Sequence, residues 1–272
     1  MLLLRRFAFP AFAALMLLLP ALPVPDFWIT QSNYIGMYSL VAIGLVLLTG
    51  VAGLTSFGQA AFVGVGAYSA AFLAVKMSGS PWLALLVGIA LAVAAAVLLG
   101  AITLRMSGHY LPLATIAWGL ALNYTMANME WLGKYDGILG IPSLNVFGID
   151  LGSGRGLHVM IWSIALLAAL ASTHLLDSRP GRAIRSLKGG ATMPEAMGIS
   201  TFRAKLTVFV IAAVLAAVSG WLFAFFQRTV NPSPFSIGKG IEYLFMAVLG
   251  GVGHVWGAFL GAGVVKIIED QL

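Results

Sequence analysis

The chain has 272 residues, of which 60% are hydrophobic and only 9% are charged, and its formal net charge is +6. A soluble domain carries about 25% charged residues, so this composition excludes an ordinary soluble protein and indicates an all-α, polytopic membrane helical bundle. Cysteine is absent, which excludes a disulfide framework and a thiolate metal site. The basic residues lie between apolar stretches, where membrane proteins carry their orientation signals, so we predict no binding to nucleic acid.

Apolar segments long enough to cross a bilayer, which takes about 20 residues, recur along the chain. The first follows Arg5 and Arg6 as in a signal peptide, but an A-x-A cleavage pattern is missing, so a retained helix is expected. We predict one transmembrane domain over residues 1–272 with about eight spans, or more if residues 243–268 form a broken helix pair. The predicted spans are residues 7–23, 35–52, 58–75, 82–104, 111–129, 157–176, 206–227 and 243–265.

The loop at residues 177–205 sets the predicted orientation, because it has six basic and two acidic residues. With the N-terminus in the cytoplasm, ten basic residues lie inside and five outside, in agreement with the positive-inside rule. In this arrangement Lys239 is outside and Lys266 is inside. The loop at residues 130–156 is then extracytoplasmic, and its glycine and turn residues predict a surface loop or cap.

Ionisable side chains are nearly missing from the predicted spans: Glu130 and Glu242 lie at outer ends, and Lys76 and Lys266 lie at span borders. Ion-coupled transporters usually keep such groups in the membrane interior, so secondary active transport is disfavoured. An intramembrane acid/base pair is missing as well, and we predict neither an enzyme nor a cofactor. No metal site is predicted, because metal-ligand spacing is missing among the histidines, which are His109, His158, His174 and His254.

The cytoplasmic loop begins where Pro180 and Gly181 end the preceding helix. Arg182, Arg185 and Lys188 follow at three-residue spacing and predict the basic face of a short helix. Such a face fits either a groove on a soluble partner or the anionic head groups of membrane lipid. Because the spans lack coupling groups, a soluble partner bound at this loop would have to supply the energy for transport.

A second short helix is predicted after the Gly-Gly pair of the same loop. Thr192 and Glu195 have the spacing of a capping box. The helix would continue through Ala196 and Met197 and end at Gly198. A short helix between two spans can act as a lever that sits in a groove of a partner.

The segment GLTSFGQAAFVGVGAYSA, residues 53–70, is apolar yet rich in glycine and hydroxyl groups. Its GVGAY stretch lacks the preceding strand that a phosphate-binding loop needs, so nucleotide binding is excluded for this segment. Thr55, Ser56 and Gln59 would therefore either line a translocation pathway or bond to a neighbouring helix. The same two alternatives hold for Asn123.

Small residues predict close helix contacts near both ends of the chain. Ala60 and Gly64 form a small-xxx-small pair, and Gly66 follows in the same helix. A longer stripe at four-residue spacing is formed by Gly253, Gly257 and Gly261.

Five segments in the right order resemble the permeases of ABC importers for branched-chain amino acids, of the LivM type within the LivH/LivM pair. Together they extend over most of the chain. The third segment favours the LivM type over the LivH type, and the fourth resembles the coupling loop. The segments are GLTSFGQAAFVGVGAYSAA (53–71), LRMSGHYLPLATIAWG (104–119), DGILGIP (136–142), GRAIRSLKGGATMPEAMGISTFRAK (181–205) and IEYLFMAVLGGVGHVWGAFLGA (241–262).

The resemblance implies a permease subunit of the bacterial inner membrane that pairs with a second, LivH-like permease. Each permease would dock an ABC ATPase subunit, and a periplasmic substrate-binding protein would deliver branched-chain or similar small amino acids. Relatives usually continue with another hydrophobic helix where this sequence stops at KIIEDQL. By position, the residues implied to contact the ATPase are Glu195, Ala196, Met197 and Gly198, with Arg182 and Arg185 beside them.

Gly198 follows Glu195 by three residues, whereas the wider ABC importer motif has seven. A likeness between residues 57–67 and 256–264 indicates either a two-half pseudo-repeat or the chance similarity of Gly/Ala-rich helices. Three other functions fit the residues: a permease for urea or short amides, an uncoupled small-solute channel or facilitator, and a structural subunit without a pathway. A facilitator needs no coupling loop, so residues 177–205 favour the ABC permease.

Overall fold

The computed structural model describes residues 2–106, 110–146, 149–190 and 192–271. His109 and residues 147–148 of the predicted outer loop lie outside the described residues. The helices are α1 (Leu2–Leu18), α2 (Asp26–Leu45), α3 (Gln59–Lys76), α4 (Pro81–Thr103), α5 (Tyr110–Asn128), α6 (Gly154–Asp177), α7 (Arg179–Ser186), α8 (Thr192–Ala196), α9 (Thr201–Gln227), α10 (Ile237–Leu249) and α11 (Gly257–Gln271). The strands are β1 (Ile138–Leu139), β2 (Asn145–Val146), β3 (Ile149–Asp150) and β4 (Thr229–Val230).

Five of the predicted spans coincide with helices that are long and apolar enough to cross a membrane, namely α2 with its continuation to Val51, α3, α4, α6 and α9. The first predicted span corresponds to the shorter α1, and the fifth corresponds to α5. Helix α2 begins nine residues earlier than predicted. Its polar first half is accommodated by α6, because Asn33 donates to the Gly154 carbonyl at 2.8 Å and Ser32 accepts from the Trp162 indole at 3.0 Å.

The core is formed by α2, α3 and α9. In the most apolar 18-residue stretch of these helices, 83%, 78% and 72% of the residues are buried, whereas the corresponding share in α4 is 22%. Helix α4 buries small residues at every fourth position, and its larger residues face outward. Since lipid tails are as apolar as leucine, packing of small residues is what joins such a helix to its neighbours. The buried small residues of α4 are Ala84, Gly88, Ala92, Ala96 and Gly100.

The last predicted span, residues 243–265, is wrong as one helix, and the broken pair is the observed arrangement. Helices α10 and α11 form an antiparallel hairpin around the turn at residues 250–256. Gly257 packs on the Gly250 carbonyl and Gly261 on the Met246 carbonyl, so the helix axes approach closely. The main chain reverses here because Gly251 and Gly253 have φ values of 105° and 92°, which side chains disfavour.

This reversal also corrects the predicted side of Lys266. The Lys266 and Lys239 ammonium groups both bind Glu269, at 3.4 and 2.8 Å. The two lysines therefore lie on the same side of the molecule, contrary to the inside position predicted for Lys266. Moving it leaves nine basic residues on the predicted inner side and six on the outer side, and the loop at residues 177–205 still dominates the asymmetry.

Two short β-pairs interrupt the otherwise helical fold in the outer loop. Strand β1 pairs with β4 through Ile138↔Val230 and Leu139↔Thr229, and β2 pairs with β3. The first pairing places the loop at residues 130–156 beside the chain that follows α9. Arg155 adds an ion pair with Asp26 at 2.8 Å, so the start of α2 lies on the same side of the molecule as this loop.

Candidate functional site

Residues 177–205, the predicted cytoplasmic segment, form two short helices joined by a tight turn. Ser178 caps α7, since its hydroxyl accepts from the Gly181 amide at 3.3 Å, and Pro180 fits the first turn, where its missing N–H costs nothing. A 3₁₀ turn at Leu187–Gly189 leads to α8. Gly198 follows α8 with a φ of 78°, a left-handed position that glycine adopts at low cost.

Helix α8 and the turn after it present two exposed methionines. Met193 in α8 and Met197 directly after it are 69% and 72% exposed, and Glu195, Ala196 and Gly198 are exposed beside them. The Met197 amide donates to the Met193 carbonyl at 3.3 Å, so the two residues are one helical turn apart, and methionine is common on binding surfaces. Met193 was not predicted as a site residue from the sequence, although its four-residue spacing to Met197 is a signal that could have identified it.

Glu195 ties this helix to the membrane bundle. Its carboxylate accepts a hydrogen bond from the Thr201 hydroxyl at 2.6 Å, and Thr201 is the first residue of α9. The Glu195 carboxylate thus forms its hydrogen bond across the turn at Gly198. The structure shows this contact with Thr201 in place of the predicted capping box with Thr192. This hydrogen bond therefore connects α8 directly to a core helix.

The predicted basic face of Arg182, Arg185 and Lys188 divides into two parts. Arg182 and Arg185 are exposed and lie near Asp177, with distances of 3.3 Å to its carbonyl and 3.5 Å to its carboxylate. Lys188 is also exposed, but its ammonium donates to the Gly50 carbonyl in the continuation of α2 at 3.2 Å. This lysine links the cytoplasmic segment to the glycine-rich break.

The break begins where α2 continues as a π-helical turn over Val46–Val51. Its freed backbone groups keep partners: the Leu54 amide donates to Leu48 at 2.9 Å, and the Phe57 amide donates to the Thr115 hydroxyl at 3.2 Å. Non-helical backbone in a membrane needs such partners, because lipid supplies none. The chain can therefore leave the helix at residues 52–58 and begin α3 inside the bundle.

The two breaks of the molecule touch each other. A Cβ on Gly50 would lie 2.6 Å from the amide nitrogen of Gly253, so only a glycine fits. Gly53 has a φ of 73° and lies beside the Lys188 main chain. Lys188 thus meets both the break after α2 and, through Gly50, the turn between α10 and α11.

Ser56 and Gln59 are buried polar residues without partners. They are 2% and 1% exposed, and neither the Ser56 hydroxyl nor the Gln59 amide has a hydrogen-bond partner among the residues described. Ser56 lines a narrow cavity of about 10 Å³, a volume near the minimum for one water molecule. One of the two predicted alternatives, a hydrogen bond to a neighbouring helix, is thus not observed for either side chain among the described residues. Thr55 beside them is half-buried.

The other residues predicted to line the pathway or pack helices make either close van der Waals contacts or a hydrogen bond. Gly64 lies against Met126 and Phe235, and Gly66 lies so close to α9 that a Cβ would be 2.0 Å from the Ala217 carbonyl oxygen. Asn123 donates to the Pro232 carbonyl at 2.9 Å, which joins α5 to the segment after α9.

The predicted three-glycine stripe is correct for Gly257 and Gly261, which pack α11 on α10. It is wrong for Gly253, because that residue lies in the turn between the two helices and has a positive φ. A four-residue spacing signals one helix face only while the helix continues.

Comparisons with known proteins agree with the geometry of this bundle. The family model described as branched-chain amino acid transport system / permease component matches residues 27–272. The high-affinity branched-chain amino acid transport system permease protein LivM of Escherichia coli (strain K12) is 30% identical over 87% of this chain and 61% of its own length. LivH of the same organism is 29% identical over 85% of this chain and 80% of its own length.

A ribose import permease protein, RbsC of Haemophilus influenzae, is 26% identical over 46% of this chain and 40% of its own length. No solved structure matches the chain significantly. The chain spans about three fifths (61%) of the LivM relatives that it matches. With a family match over nearly its whole length and five helices able to cross a membrane, the chain belongs to the family of branched-chain amino acid transport permease components, which are membrane transport proteins and not enzymes.

Proposed function

We propose that the chain is the permease subunit of an ABC importer in the bacterial inner membrane. It would move branched-chain or similar small amino acids into the cell, powered by a separate ATPase subunit. The support is the family membership, the names of the relatives and a cytoplasmic segment built for docking. The N-terminus would lie in the cytoplasm, in keeping with the basic loop at residues 177–205.

One observation carries the proposal: an exposed short helix, α8, is joined to the bundle on both sides. Glu195 binds α8 to α9 through Thr201, and Lys188 binds the preceding turn to Gly50. Met193 in α8 and Met197 directly after it form an exposed apolar surface, which suits insertion into a groove of a partner. A facilitator or a structural subunit has no use for such a connection.

In this mechanism, the ATPase displaces α8, and the two contacts pass the displacement to α9 and to the break at residues 50–58. The unpaired Gln59 amide supports a second conformation, because an unsatisfied buried polar group costs free energy that a rearrangement can recover. Thr55, Ser56 and Gln59 would then line the pathway in one of the two states. Packed interfaces of this kind switch between discrete arrangements.

The implied partners divide between the two sides of the membrane. The ATPase would contact Glu195, Ala196, Met197 and Gly198, with Arg182 and Arg185 near the ATPase or anionic lipid. A LivH-like permease would complete the pathway, and a substrate-binding protein would dock at the outer loop. Because a ribose permease is also similar over part of the chain, the solute has to be measured, with urea and short amides as the alternatives.

Co-reconstitution of the chain with its second permease, ATPase and binding protein in proteoliposomes tests the proposal. We expect uptake of labelled leucine only with ATP and ATPase. Glu195→Ala removes a hydrogen bond to a charged group, worth about 1.5–3 kcal/mol, and Met197→Asp places a charge on the exposed apolar surface. Each should lower uptake by roughly tenfold or more. Membrane insertion should be unchanged.

The matched control is Met77→Asp, at an exposed methionine directly after α3 and outside the proposed docking segments. It should transport as the wild type does. Uptake that continues without ATPase would support the uncoupled facilitator instead. Wild-type uptake in both α8 variants would contradict the docking role.

A further inference from the structure

An open cleft of about 580 Å³ lies on the outer side of the bundle. Its walls come from α2, the end of α9, the chain at residues 233–236 and the hairpin of α10 and α11. Small-molecule sites in proteins have volumes of roughly 300–1,000 Å³. The cleft is therefore large enough for a metabolite, and it is separate from the narrow cavity beside Ser56.

Charged groups of both signs converge in this cleft. Lys239 binds Glu242 at 2.6 Å and Glu269 at 2.8 Å, while Lys266 binds Glu269 at 3.4 Å and Asp270 at 2.6 Å. Two ammonium groups thus face three carboxylates, which leaves a formal charge of −1. Ionisable residues among membrane helices are costly to bury and usually mark functional sites.

The two lysines are held firmly, whereas the carboxylates are accessible. Lys239 and Lys266 side chains are only 12% and 10% exposed, but those of Glu242, Glu269 and Asp270 are 40%, 39% and 27% exposed. A carboxylate has about four acceptor positions, so the three acids retain positions for another donor. The cleft can therefore accept a cationic group without losing its lysine pairs.

Aromatic and amide groups complete the wall. The Lys239 ammonium lies 4.9 Å from the centre of the Tyr38 ring, and the Lys266 ammonium lies 5.0 Å from that of Tyr34. The Tyr34 hydroxyl accepts from the Gln227 amide at 2.5 Å. The buried Gln31 side-chain oxygen has no partner among the described residues, so it is a further acceptor at the wall of the cleft.

We propose that this cleft binds the zwitterionic end of an α-amino acid, an inference that rests on the proposed function and names where its substrate is held. The ligand ammonium would bind Glu242 and Asp270, and once the Glu269 carboxylate is displaced, the remaining two lysines, two acids and the zwitterion carry no net charge. The ligand carboxylate would take the place of Glu269, whose two oxygens bridge Lys239 and Lys266. One carboxylate exchanged for another keeps both lysines paired.

The site also connects to the hinge of the hairpin. Glu269 is in α11 and Lys239 is in α10, so their ion pair ties together the ends of the two helices. At the other end of the same hairpin, the turn at residues 250–256 contacts Gly50. A ligand that displaces Glu269 would loosen the first contact and so favour movement at the second.

Direct binding of L-leucine to the purified chain in lipid nanodiscs tests the site without ATP or a partner. We expect saturable binding of labelled leucine. Unlabelled isopentylamine, which has only the ammonium group, and 4-methylpentanoate, which has only the carboxylate, should each compete at least tenfold less well than unlabelled leucine. Competition by the amine as strong as that by leucine would overturn the zwitterion site, and so would the absence of leucine binding.

Glu242→Gln is the main variant, because it removes one charge and leaves the Lys239–Glu269 tie between the helices intact. Loss of a hydrogen bond to a charged group predicts an affinity for leucine about tenfold or more below the wild type. Asp270→Asn, with the same expected loss, is the second variant if the first one folds poorly by thermal unfolding. Glu130→Gln is the control, since Glu130 pairs with Lys134 at an exposed site; it should bind leucine normally.

Wild-type affinity in both folded variants would overturn the proposal. The result is distinct from a failure of the proposed function. ATP-driven uptake with no leucine bound to the cleft would refute the cleft alone, and leucine binding with uptake independent of ATP would refute the ABC mechanism alone.

Discussion

Gln59 shows how much depends on a single side chain in this bundle. It stands at the first turn of α3, directly after the break, and its amide is 1% exposed and unpaired among the described residues. Most buried polar groups in proteins have partners, so the exceptions merit a functional explanation. We interpret the unpaired amide as a group that finds a partner in another transport state or on a solute.

Replacement of this amide separates stability from transport. Gln59→Met keeps the volume and removes an unpaired group that costs about 1–3 kcal/mol, so the thermal unfolding temperature should stay the same or rise. Leucine uptake should fall by roughly tenfold, as expected if one good hydrogen bond is lost. Unfolding in detergent and uptake in proteoliposomes measure the two effects.

Ser219→Ala is the control for that variant, since the Ser219 hydroxyl is buried and donates to the Met37 carbonyl at 2.8 Å. Its removal should lower stability by about 1 kcal/mol. A similar loss of stability in Gln59→Met would show that the amide does have a partner and would contradict our interpretation.

Lys188 is the second residue whose replacement gives a clear expectation. Lys188→Met removes the donor to the Gly50 carbonyl, a charge-assisted bond worth about 1.5–3 kcal/mol. We expect ATP hydrolysis by the assembled transporter to continue while leucine uptake falls by roughly tenfold. Uptake and phosphate release, measured in the same proteoliposomes, report this uncoupling.

Another basic residue of the same segment supplies the comparison. Arg179→Met removes an exposed charge at the start of α7, outside the proposed ATPase contacts, so it should reduce uptake far less. Lys188→Arg keeps a donor and should restore part of the transport. Equal effects of the two methionine variants would mean that charge alone, and not the contact with Gly50, is important.

At the scale of the elements, small residues decide which helices lie together. Helices α3 and α9 approach so closely that a Cβ on Gly220 would lie 1.9 Å from the Val63 carbonyl oxygen. The sequence predicted tight packing in α3 from Ala60, Gly64 and Gly66, but it did not indicate the partner helix. That choice depends on a matching small surface in α9, which includes Ala217 and Gly220.

Gly66→Ala tests this contact. The added methyl group would overlap the Ala217 carbonyl, and overpacking of this kind costs about 1–3 kcal/mol. We expect a lower unfolding temperature in detergent. Gly263→Ala is the matched control, because a Cβ there meets no atom within 4 Å, and it should be neutral or slightly stabilising. Equal stability of the two variants would contradict the packing of α3 on α9.

At the scale of the whole molecule, the hairpin of α10 and α11 determines where the chain leads. A single last span would place residues 266–271 on the inner side, whereas the hairpin returns them to the side of Lys239. The same reversal brings Lys239, Glu242, Lys266, Glu269 and Asp270 into one cleft. If residues 243–265 formed a single span, as the sequence predicts, Lys239 and Glu242 would be separated from Lys266, Glu269 and Asp270 by the thickness of the membrane.

Single cysteines test this topology on a chain that has no cysteine of its own. Met193→Cys and Val252→Cys should react with a membrane-impermeant maleimide from the cytoplasmic side. Tyr135→Cys and Gln271→Cys should react from the outside. Labelling of whole cells and of inside-out vesicles distinguishes the two sides. Reaction of Gln271→Cys from the inside would contradict the hairpin and restore the single span.

The sequence by itself determined the membrane class, most of the spans and the family. These follow from composition, from apolar length and from motifs such as residues 53–71, all of which are local properties of the chain. It also predicted the short helix that holds Glu195 and ends before Gly198, because turn residues and spacing are local signals as well.

Only the tertiary structure decided which distant residues meet. The Lys188 contact with Gly50, the Thr201 contact with Glu195, the glycine contact between residues 50 and 253, and the charged cleft all join groups from different elements. No periodicity records such pairs, because a helix pattern shows which face is buried but not what covers it. Packing of small residues brings these groups together, and the low dielectric of the membrane interior makes each resulting polar contact strong or costly.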